Sequence, residues 1–509
     1  MIIDHLGNAI GLVMTWNMAL VMLSCALFGL FVGAVPGLSA TMATAMLVPL
    51  TFFMDPVPAI SAIVTTAAMA IFASDIPAAL VRIPGTAASA AYVGDLTALT
   101  AKGRVGRALG ISVTASAIGG VFGSLVLMFA APQLALVSLN FTSFEYFWLA
   151  LLGLSAAVML GNASILKSLM ALAIGLMIAS VGMDTTSGTP RFTFGAASLL
   201  DGVAFVPALI GMFAVPELIR TFVHRDETPP VAPIGNPFRM FQGLGRVLWT
   251  SKLNLLRSST IGTAIGILPG AGSDIGSWIS YAVSKRFSRK PETYGKGSEE
   301  AVLGACAANN SALSGAYVPA MVFGIPGDSI TAIVIGVLYV KGLNPGPMVF
   351  MTNADTVAAI FLVFLLANLL IVPLGLLAIA LASQVLRVPK LALAPLILGF
   401  CIVGSYSIDA SASGIIIMIV LGVLAYLMEE NGFPVAPTIL GIVMGLLVER
   451  NLVSNMIKSD GAFLPFVERP IAAGLALTCL LVWTVPAIGW LRRRRRGTAT
   501  APAATEQET

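Results

Sequence analysis

Four Pro-Gly pairs inside apolar stretches are the residues whose chemistry best suits a binding site. They are Pro36-Gly37, Pro84-Gly85, Pro269-Gly270 and Pro326-Gly327. Proline removes a backbone donor and glycine tolerates unusual dihedral angles, so each pair predicts an interrupted helix with unpaired amides and carbonyls. Within lipid such groups cost several kcal/mol unless they face protein or a ligand cavity. The pairs therefore predict one polar pocket at membrane depth.

Short polar residues follow each pair, where the next helix should begin. Ser, Thr and Asp are favoured helix N-caps, so capping explains any one of them about as well as binding does. The free amides and the dipole of a helix N-terminus also attract anions, which predicts a carboxylate site that needs few cationic side chains. Besides Arg82 and two asparagines treated below, the predicted substrate-binding residues are Pro36, Gly37, Ser39, Thr41, Pro84, Gly85, Thr86, Pro269, Gly270, Ala271, Gly272, Ser273, Pro326, Gly327, Asp328 and Ser329.

Asn309 and Asn310 lie together in the apolar stretch ahead of the last Pro-Gly pair. Amide donors suit a carboxylate, and amide carbonyls suit a hard cation such as sodium. Hydrogen bonding between helices is the alternative. Because intramembrane carboxylates are scarce, a coupling cation is expected to be sodium rather than a proton. We expect sodium near Ser39, Gly272, Asn310 and Gly327.

Asp75 and Arg82 are the ionisable residues nearest the second pair. Arg82 could bind a substrate carboxylate, or it could pair with Asp75, which lies about two helical turns earlier. We favour the internal ion pair.

The composition is that of a polytopic membrane protein. Of the 509 residues, 57% are hydrophobic and 10% are charged, and the mean hydropathy is +0.94, which argues against a soluble protein. A spanning helix needs about 20 apolar residues, and the windows of that kind predict an all-α protein with about 12 transmembrane helices. The chain has no phosphate-binding GxxxxGK[ST] loop, and its histidines, His5 and His224, lie outside the interruptions. Neither ATP-driven nor metal- or Ser-His-dependent catalysis is expected.

The two halves of the sequence resemble each other. Residues 33–39 match residues 266–272, and residues 82–86 match residues 324–328, in the same order. Basic residues follow the second pair in the first half but the first pair in the second half. Since basic loops mark the cytoplasm, this asymmetry predicts two inverted-topology repeats built on Pro-Gly-broken helices or helical hairpins.

This organisation predicts four segments. They are a first membrane repeat (1–223), a cytoplasmic linker (224–257), a second membrane repeat (258–491) and a basic, then disordered, cytoplasmic tail (492–509). The linker contains four prolines, and both a plain connector and a short interfacial helix remain open for it. The run Arg492–Arg496 after the last apolar window places the C-terminus in the cytoplasm.

Several short motifs, distributed over nearly the whole chain, occur in an order and at a spacing that match a known family. They are Gly-Ala-Val-Pro-Gly-Leu, Ile-Pro-Gly-Thr-Ala-Ala-Ser-Ala, Lys-Gly-Arg-Val-Gly-Arg-Ala-Leu-Gly, Gly-Ile-Leu-Pro-Gly-Ala-Gly, Tyr-Gly-Lys-Gly-Ser-Glu-Glu, Ala-Asn-Asn and Gly-Ile-Pro-Gly-Asp-Ser. With them the chain resembles the large membrane subunit of tripartite tricarboxylate transporters, the TctA family. Asp75 and Arg82 depart from that family's polar, uncharged stretch, which puts the substrate in question more than the fold.

The resemblance implies a secondary transporter of the bacterial inner membrane that imports citrate-like or other small carboxylates. It implies a sodium or proton gradient as the driving force and elevator-like movement as the mechanism. It also implies two partners, a small four-helix membrane subunit (TctB-like) and a periplasmic solute-binding protein (TctC-like). No nucleic-acid partner and no bound cofactor are expected. The alternatives are a stand-alone secondary carrier and an intramembrane enzyme, for which Gly270–Asp274 matches an aspartyl-protease motif only loosely.

Overall fold

The computed structural model describes residues 2–159, 164–184, 186–223, 240–268, 272–386, 390–409 and 411–497. Within these ranges the regular secondary structure is helical apart from one short antiparallel hairpin, β1 (Gly182–Met183) with β2 (Pro190–Arg191). The predicted linker begins with residues outside this description. Its described part holds a short helix at 244–250, and the helix after it already begins at Lys252.

The helices of the first half include one of 34 residues and several short ones beside the Pro-Gly pairs. They are α1 (Ile2–Val13), α2 (Trp16–Ala34), α3 (Ala40–Thr51), α4 (Pro56–Ala73), α5 (Asp75–Leu80), α6 (Val93–Ala101), α7 (Val105–Ser138), α8 (Ser143–Met159), α9 (Ile165–Ala179) and α10 (Phe205–Val223), with 3-10 turns at Ser89–Ala91 and Ala197–Leu199.

The second half repeats this alternation of long and short helices. They are α11 (Leu244–Thr250), α12 (Lys252–Ile267), α13 (Gly272–Phe287), α14 (Glu299–Phe323), α15 (Ser329–Val340), α16 (Val349–Thr352), α17 (Ala354–Val385), α18 (Lys390–Asp409), α19 (Ala412–Glu430), α20 (Val435–Lys458), α21 (Pro465–Glu468) and α22 (Pro470–Gly497), with a 3-10 turn at Pro291–Thr293.

Seven helices of the described chain are long and apolar enough to cross a membrane. They are Trp16–Ala34, Pro56–Leu80, Val105–Ser138, Phe205–Val223, Ala354–Ala382, Ala412–Glu430 and Val435–Lys458. Six shorter apolar helices accompany them, at Ala40–Thr51, Ser143–Met159, Ile165–Ala179, Ser329–Val340, Leu393–Tyr406 and Pro470–Thr484. The all-α, multi-span prediction is confirmed, whereas the number of twelve transmembrane helices stays a prediction.

Glycines let the central helices approach each other closely. A Cβ atom built on Gly29 or Gly33 of α2 would lie 2.5 Å from a carbonyl oxygen of α4, and one on Gly262 or Gly266 of α12 would overlap the backbone of α14. Gly119 brings α7 equally close to α14. Small residues are what membrane helices use for such crossings. They hold α4 and α14, which precede two of the interruptions, at the centre of the protein.

The basic loops of both halves meet at one end of the protein, called here the basic end. Lys102 donates a hydrogen bond to the carbonyl of Lys296 over 2.6 Å. The Arg107 guanidinium binds the Glu299 carboxylate, with Nε 3.2 Å from Oε1, and also the carbonyl of Gln242. Segments 102–107, 285–299 and 240–243 therefore share one surface.

The opposite end joins the remaining two loops. Lys341, at the C-terminus of α15, donates hydrogen bonds to the carbonyls of Phe52 and Met54 over 3.0 and 2.6 Å. These carbonyls belong to the turn between α3 and α4, so α3 and α15 end side by side. This end is called the Lys341 end below.

Asp95 of α6 fixes the loop of the second half that precedes α14. Its buried carboxylate accepts hydrogen bonds of 2.7–3.0 Å from the backbone amides of Gly295, Gly297 and Ser298, and one of 2.8 Å from the Tyr281 hydroxyl. Gly295 and Gly297 have positive φ angles of 80° and 98°, which turn their amides towards Asp95. The contact ties α6 to α13 and α14 across the two halves.

Replacing Asp95 by Ala should destabilise the protein, because the amides that bind Asp95 would become buried donors without a partner. We expect the free energy of unfolding to fall by about 3 kcal/mol, measured by denaturant titration in mixed micelles. Asp55→Ala is the matched control, since Asp55 is exposed and makes no side-chain capping bond. Equal stability of the two variants would contradict this role for Asp95.

Candidate binding site

The described Pro-Gly pairs all lie between helices, as their chemistry predicts. Pro36-Gly37 separates α2 from α3, Pro84-Gly85 follows α5, and Pro326-Gly327 separates α14 from α15. The predicted residues Pro269, Gly270 and Ala271 lie outside the described residues, and so does the side chain of Ser273. The flanking helices α12 and α13 end and begin on either side of that pair.

A cavity of about 130 Å³ lies where the interruptions meet. Its lining comes from three of them and from α4: Ser39, Ala40, Thr41, Thr86, Ala87, Asp328, Ser329, Ile330 and Ile71. The helix α13, which follows the Pro269-Gly270 pair, contacts the residues of this lining at two points. A Cβ built on Gly272 would lie 3.0 Å from the Cβ of Asp328, and Trp278 of α13 donates a hydrogen bond of 3.1 Å to the carbonyl of Ala87. Three interruptions, and the helix α13 that follows the Pro269-Gly270 pair, thus come together at one cavity.

The cavity lies near the middle of the protein's depth. Helices α3 and α15 each run 12 residues from the cavity to the Lys341 end, which is about 18 Å at 1.5 Å per residue. Helix α13 runs 16 residues from the cavity to the basic end, about 24 Å. Together the two distances are about 42 Å, which is close to the roughly 40–45 Å of a bilayer with its headgroup regions.

Several predicted side chains are used as helix caps. The Ser39 hydroxyl accepts a hydrogen bond of 3.1 Å from an α3 amide, and Asp328 Oδ1 accepts one of 2.8 Å from the Thr331 amide. Thr86 and Ser89 bind each other's amides through their hydroxyls, both over 3.1 Å. The capping explanation therefore applies to these residues, and part of their hydrogen-bonding capacity is already taken.

Other groups in the lining remain available to a ligand. Within the described residues the hydroxyls of Thr41 and Ser329 make no hydrogen bond, and neither does Asp328 Oδ2. The first amides of α3 and α15 have no partner within their helices. Asp328 is also the only charged side chain in the described lining. The cavity thus combines several neutral donors with one carboxylate oxygen, an arrangement that can hold an anion and a cation together.

Asn309 and Asn310 lie beside the cavity rather than in its lining. Both are buried on α14, where the Asn309 amide nitrogen is 3.5 Å from the Tyr92 hydroxyl and that of Asn310 is 3.4 Å from the carbonyl of Ala68. The alternative of interhelical hydrogen bonding is thus present. Both side-chain carbonyl oxygens are buried without a hydrogen-bond partner in the described chain. Binding by these two residues stays a prediction.

The predicted ion pair between Asp75 and Arg82 is wrong. The Asp75 carboxylate is 1% exposed and accepts hydrogen bonds from Tyr92 and Ser112, over 2.6 and 2.5 Å. Arg82 is exposed and forms no ion pair with the described residues. The prediction assumed a continuous helix, but α5 ends at Leu80, and Arg82 has a φ angle of 59° that directs the chain away from Asp75.

Sequence reasoning missed Tyr92, Asp95 and Ile71. Tyr92 and Ile71 touch the site only through packing between distant segments, which local patterns do not report. Asp95 had a usable signal, because Gly295 and Gly297 alternate in a short loop, and such loops often direct several amides at an anion.

A larger cavity of about 910 Å³ opens at the Lys341 end. It lies between the β1–β2 hairpin region, α9, α20 and α15, and Arg191, Asp201 and Tyr339 contribute polar groups to its lining. The helix α15 lines it with Ile335 and Gly336 and lines the smaller cavity with Ile330, about one and a half turns away.

Comparisons with known proteins give one family. The sequence model described as the tripartite tricarboxylate transporter TctA family matches residues 19–440. An uncharacterized 52.8 kDa protein in the TAR-I ttuC' 3' region of Agrobacterium vitis is 35% identical over 474 residues, which cover 91% of this chain and 92% of that protein. An uncharacterized protein in the TAR-II ttuC' 3' region of the same organism is 36% identical over 230 residues, 45% of this chain and 95% of that protein. No solved structure matches the chain significantly.

Cysteine labelling can test whether the lining is reachable. The native cysteines Cys25, Cys306, Cys401 and Cys479 are all buried, so background labelling should be low. We expect a small methanethiosulfonate reagent to label Thr41→Cys rapidly, since Thr41 lines the cavity, and to leave Thr44→Cys unlabelled, since Thr44 is fully buried on the same helix. Labelling of Thr44→Cys without labelling of Thr41→Cys would contradict this position of the cavity.

Proposed function

Because the chain belongs to the tripartite tricarboxylate transporter TctA family, we propose that it is the large transmembrane subunit of a secondary transporter importing small tricarboxylates or dicarboxylates. The protein is a multi-pass membrane protein, and we place it in the bacterial inner membrane. The observation that carries the proposal is the meeting of three described interruptions and the helix α13 at one cavity near mid-depth. Free backbone groups at this depth are typical of transport sites.

The substrate carboxylates bind at the starts of α3 and α15. Each start offers amides without helical partners, and Thr41 and Ser329 add hydroxyl donors that make no other hydrogen bond in the described chain. The positive ends of the two helix dipoles favour the same anion. These donors account for carboxylate binding without a cationic side chain in the lining.

The coupling cation is sodium, bound near Ser39, Gly272, Asn310 and Gly327. Asp328 supplies the negative oxygen, because its Oδ2 atom is not used by the helix cap. Gly272 and Gly327 lie side by side, with the carbonyl of Gly327 3.9 Å from a Cβ built on Gly272. Carboxylate, hydroxyl and carbonyl oxygens are suitable ligands for a hard cation. Sodium beside Asp328 would also reduce the repulsion between this carboxylate and an anionic substrate.

Alternating access arises from two inverted repeats. Helix α4 packs on α17 while α14 packs on α7, and α9 packs on α20 while α10 packs on α19. Here α14 is taken as the counterpart of α4, α17 of α7, α19 of α9 and α20 of α10. Each contact in one pair is then repeated by the counterpart helices, as a two-fold relation between the halves requires. The basic end, with loops from both halves, is then cytoplasmic, as is the C-terminus. We infer an elevator-like movement of the interrupted helices against the remaining ones.

The two partners proposed here, a small four-helix membrane subunit and a periplasmic solute-binding protein, rest on family membership. The 910 Å³ cavity at the Lys341 end lies on the side where the binding protein would release substrate. Delivery there would bring the carboxylate to α15, the helix that also lines the smaller cavity.

Uptake in proteoliposomes tests the function. Reconstituted with the small subunit and loaded with a sodium gradient, the protein should accumulate labelled carboxylate only when the purified binding protein is present outside. Protein-free liposomes and liposomes treated with a sodium ionophore are the controls. Full-rate uptake without the binding protein would instead support a stand-alone carrier, and no uptake of any di- or tricarboxylate would contradict the proposal.

Arg82→Ala should change the substrate range without lowering stability. Arg82 is exposed beside the second interruption and has no ion-pair partner among the described residues, so its charge is available to a substrate carboxylate. We expect uptake of tricarboxylates to fall more than uptake of monocarboxylates, measured as competition against one labelled substrate. Arg82→Lys retains the charge and should restore the range. If each competitor inhibited the wild-type protein and Arg82→Ala to the same extent, Arg82 would have no role in substrate selection.

A further inference from the structure

Asp75 is a buried carboxylate held only by neutral donors. It begins α5, directly after α4, and accepts hydrogen bonds from Tyr92 and Ser112 and a longer one of 3.4 Å from the Cys306 thiol. No Lys, Arg or His of the described chain lies within ion-pair distance of it. A buried carboxylate usually has a cationic or metal partner. Asp75 therefore differs from Glu145, which is equally buried but pairs with an arginine.

The surroundings of Asp75 contain no other charge that could fix its protonation. Helices α2, α4, α6 and α7 and the Ser89–Ala91 turn pack on α5. Neither α2 nor α4 contains a charged residue. Asp95 of α6 is saturated by the 295–298 loop, and Arg107 of α7 binds Glu299. The titratable groups that face Asp75 are thus Tyr92 and Cys306.

The hydrogen bonds around Asp75 can accommodate either protonation state. In the ionised state Tyr92 donates to Asp75 Oδ1 and receives a weak bond from the Asn309 amide nitrogen, 3.5 Å away. In the protonated state Asp75 donates to the Tyr92 oxygen, and Tyr92 donates to Asn309 Oδ1 after the amide has turned over. This oxygen currently has no partner in the described chain. The Asp75–Tyr92–Asn309 chain can therefore reverse its direction without losing a bond.

Asp75 also lies against the second interruption. Ile71, one helical turn earlier, lines the 130 Å³ cavity. A Cβ built on Gly85 would lie 2.6 Å from the Cβ of Ser74, so this Pro-Gly pair packs directly on the residue before Asp75. Thr86 and Ala87 then enter the cavity lining. A change in the protonation of Asp75 can thus shift the segment that forms the cavity wall.

We propose that Asp75 is a proton-binding site that couples carboxylate uptake to the pH gradient. This rests on the function proposed above and adds a proton to the sodium placed at the four interruptions. On the side from which substrate enters, hydronium transfers its proton to the Asp75 carboxylate and leaves water and a neutral carboxylic acid. After the site opens to the other side, the acid returns the proton to water. The hydrogen bonds through Tyr92 and Asn309 link the protonation state of Asp75 to α14.

Uptake under a fixed sodium gradient, with and without an added inside-alkaline pH gradient, tests the proposal. One co-transported proton should raise the accumulation ratio about tenfold per unit of pH gradient, since each 1.4 kcal/mol is a factor of ten. The wild-type protein and Asp55→Asn should both respond, because Asp55 lies exposed at the other end of α4. Asp75→Asn, which imitates the protonated acid, should still perform detectable substrate counterflow and lose the response.

The outcomes separate this inference from the proposed function. Wild-type uptake driven by sodium alone, with no response to pH and no substrate-dependent proton movement seen by a pH-sensitive dye, overturns the proton site and leaves the function standing. An unchanged response in Asp75→Asn also overturns it. No uptake under any gradient contradicts the function itself. The dye measurement uses wild-type protein, so it decides the matter even if Asp75→Asn does not insert.

Tyr92→Phe tests the hydrogen-bonded chain separately. It keeps the buried ring and removes the hydroxyl between Asp75 and Asn309. We expect the pH of half-maximal uptake to move, because the ionised state of Asp75 loses a donor. Cys306→Ser, which keeps a donor to Asp75, is the matched control and should move it less. An unchanged pH profile together with lower thermal stability would assign Tyr92 a purely structural role.

Discussion

Unpaired backbone groups inside an apolar protein must find partners, and this constraint organises the centre of the molecule. Each described Pro-Gly pair lies after the end of a helix, where amides and carbonyls are left that lipid cannot satisfy. Helix caps such as Ser39 and Asp328 take up some of them. The remaining groups collect around one cavity, and the glycine crossings of α2, α7 and α12 bring the necessary helices close enough. The same close helix packing therefore both shields the unpaired backbone groups from lipid and forms the cavity.

Three interior aspartates illustrate how different partners give carboxylates different uses. Both Asp95 oxygens are filled by loop amides and a tyrosine, which suits a fixed structural link. Asp328 lines the cavity and uses its Oδ1 atom for the helix cap, which leaves Oδ2 for a cation. Asp75 is held by hydroxyl and thiol donors whose protons can rearrange, which suits proton binding. The type of partner distinguishes them more clearly than burial does.

The sequence predicted what depends on local covalent chemistry. Proline and glycine act on their own backbone, so the interruptions at Pro36, Pro84 and Pro326 could be located without coordinates. The ion pair of Asp75 with Arg82 failed because it needed a helix that stops at Leu80. Contacts such as Asp95 with Ser298 join residues about 200 positions apart, and single-sequence patterns carry no information on them. The family resemblance supplied the large-scale picture that periodicity could not.

The link between Asp95 and the 295–298 loop also restricts how the protein can move. Together with Lys341 and the turn at Phe52, it fastens the two halves of the sequence to each other at both ends of the molecule. A rocking motion of one half against the other would break hydrogen bonds at both places. In the elevator-like movement proposed above, the boundary between the stationary and the moving parts would therefore pass through each half, and segments from both halves would move together as one rigid body.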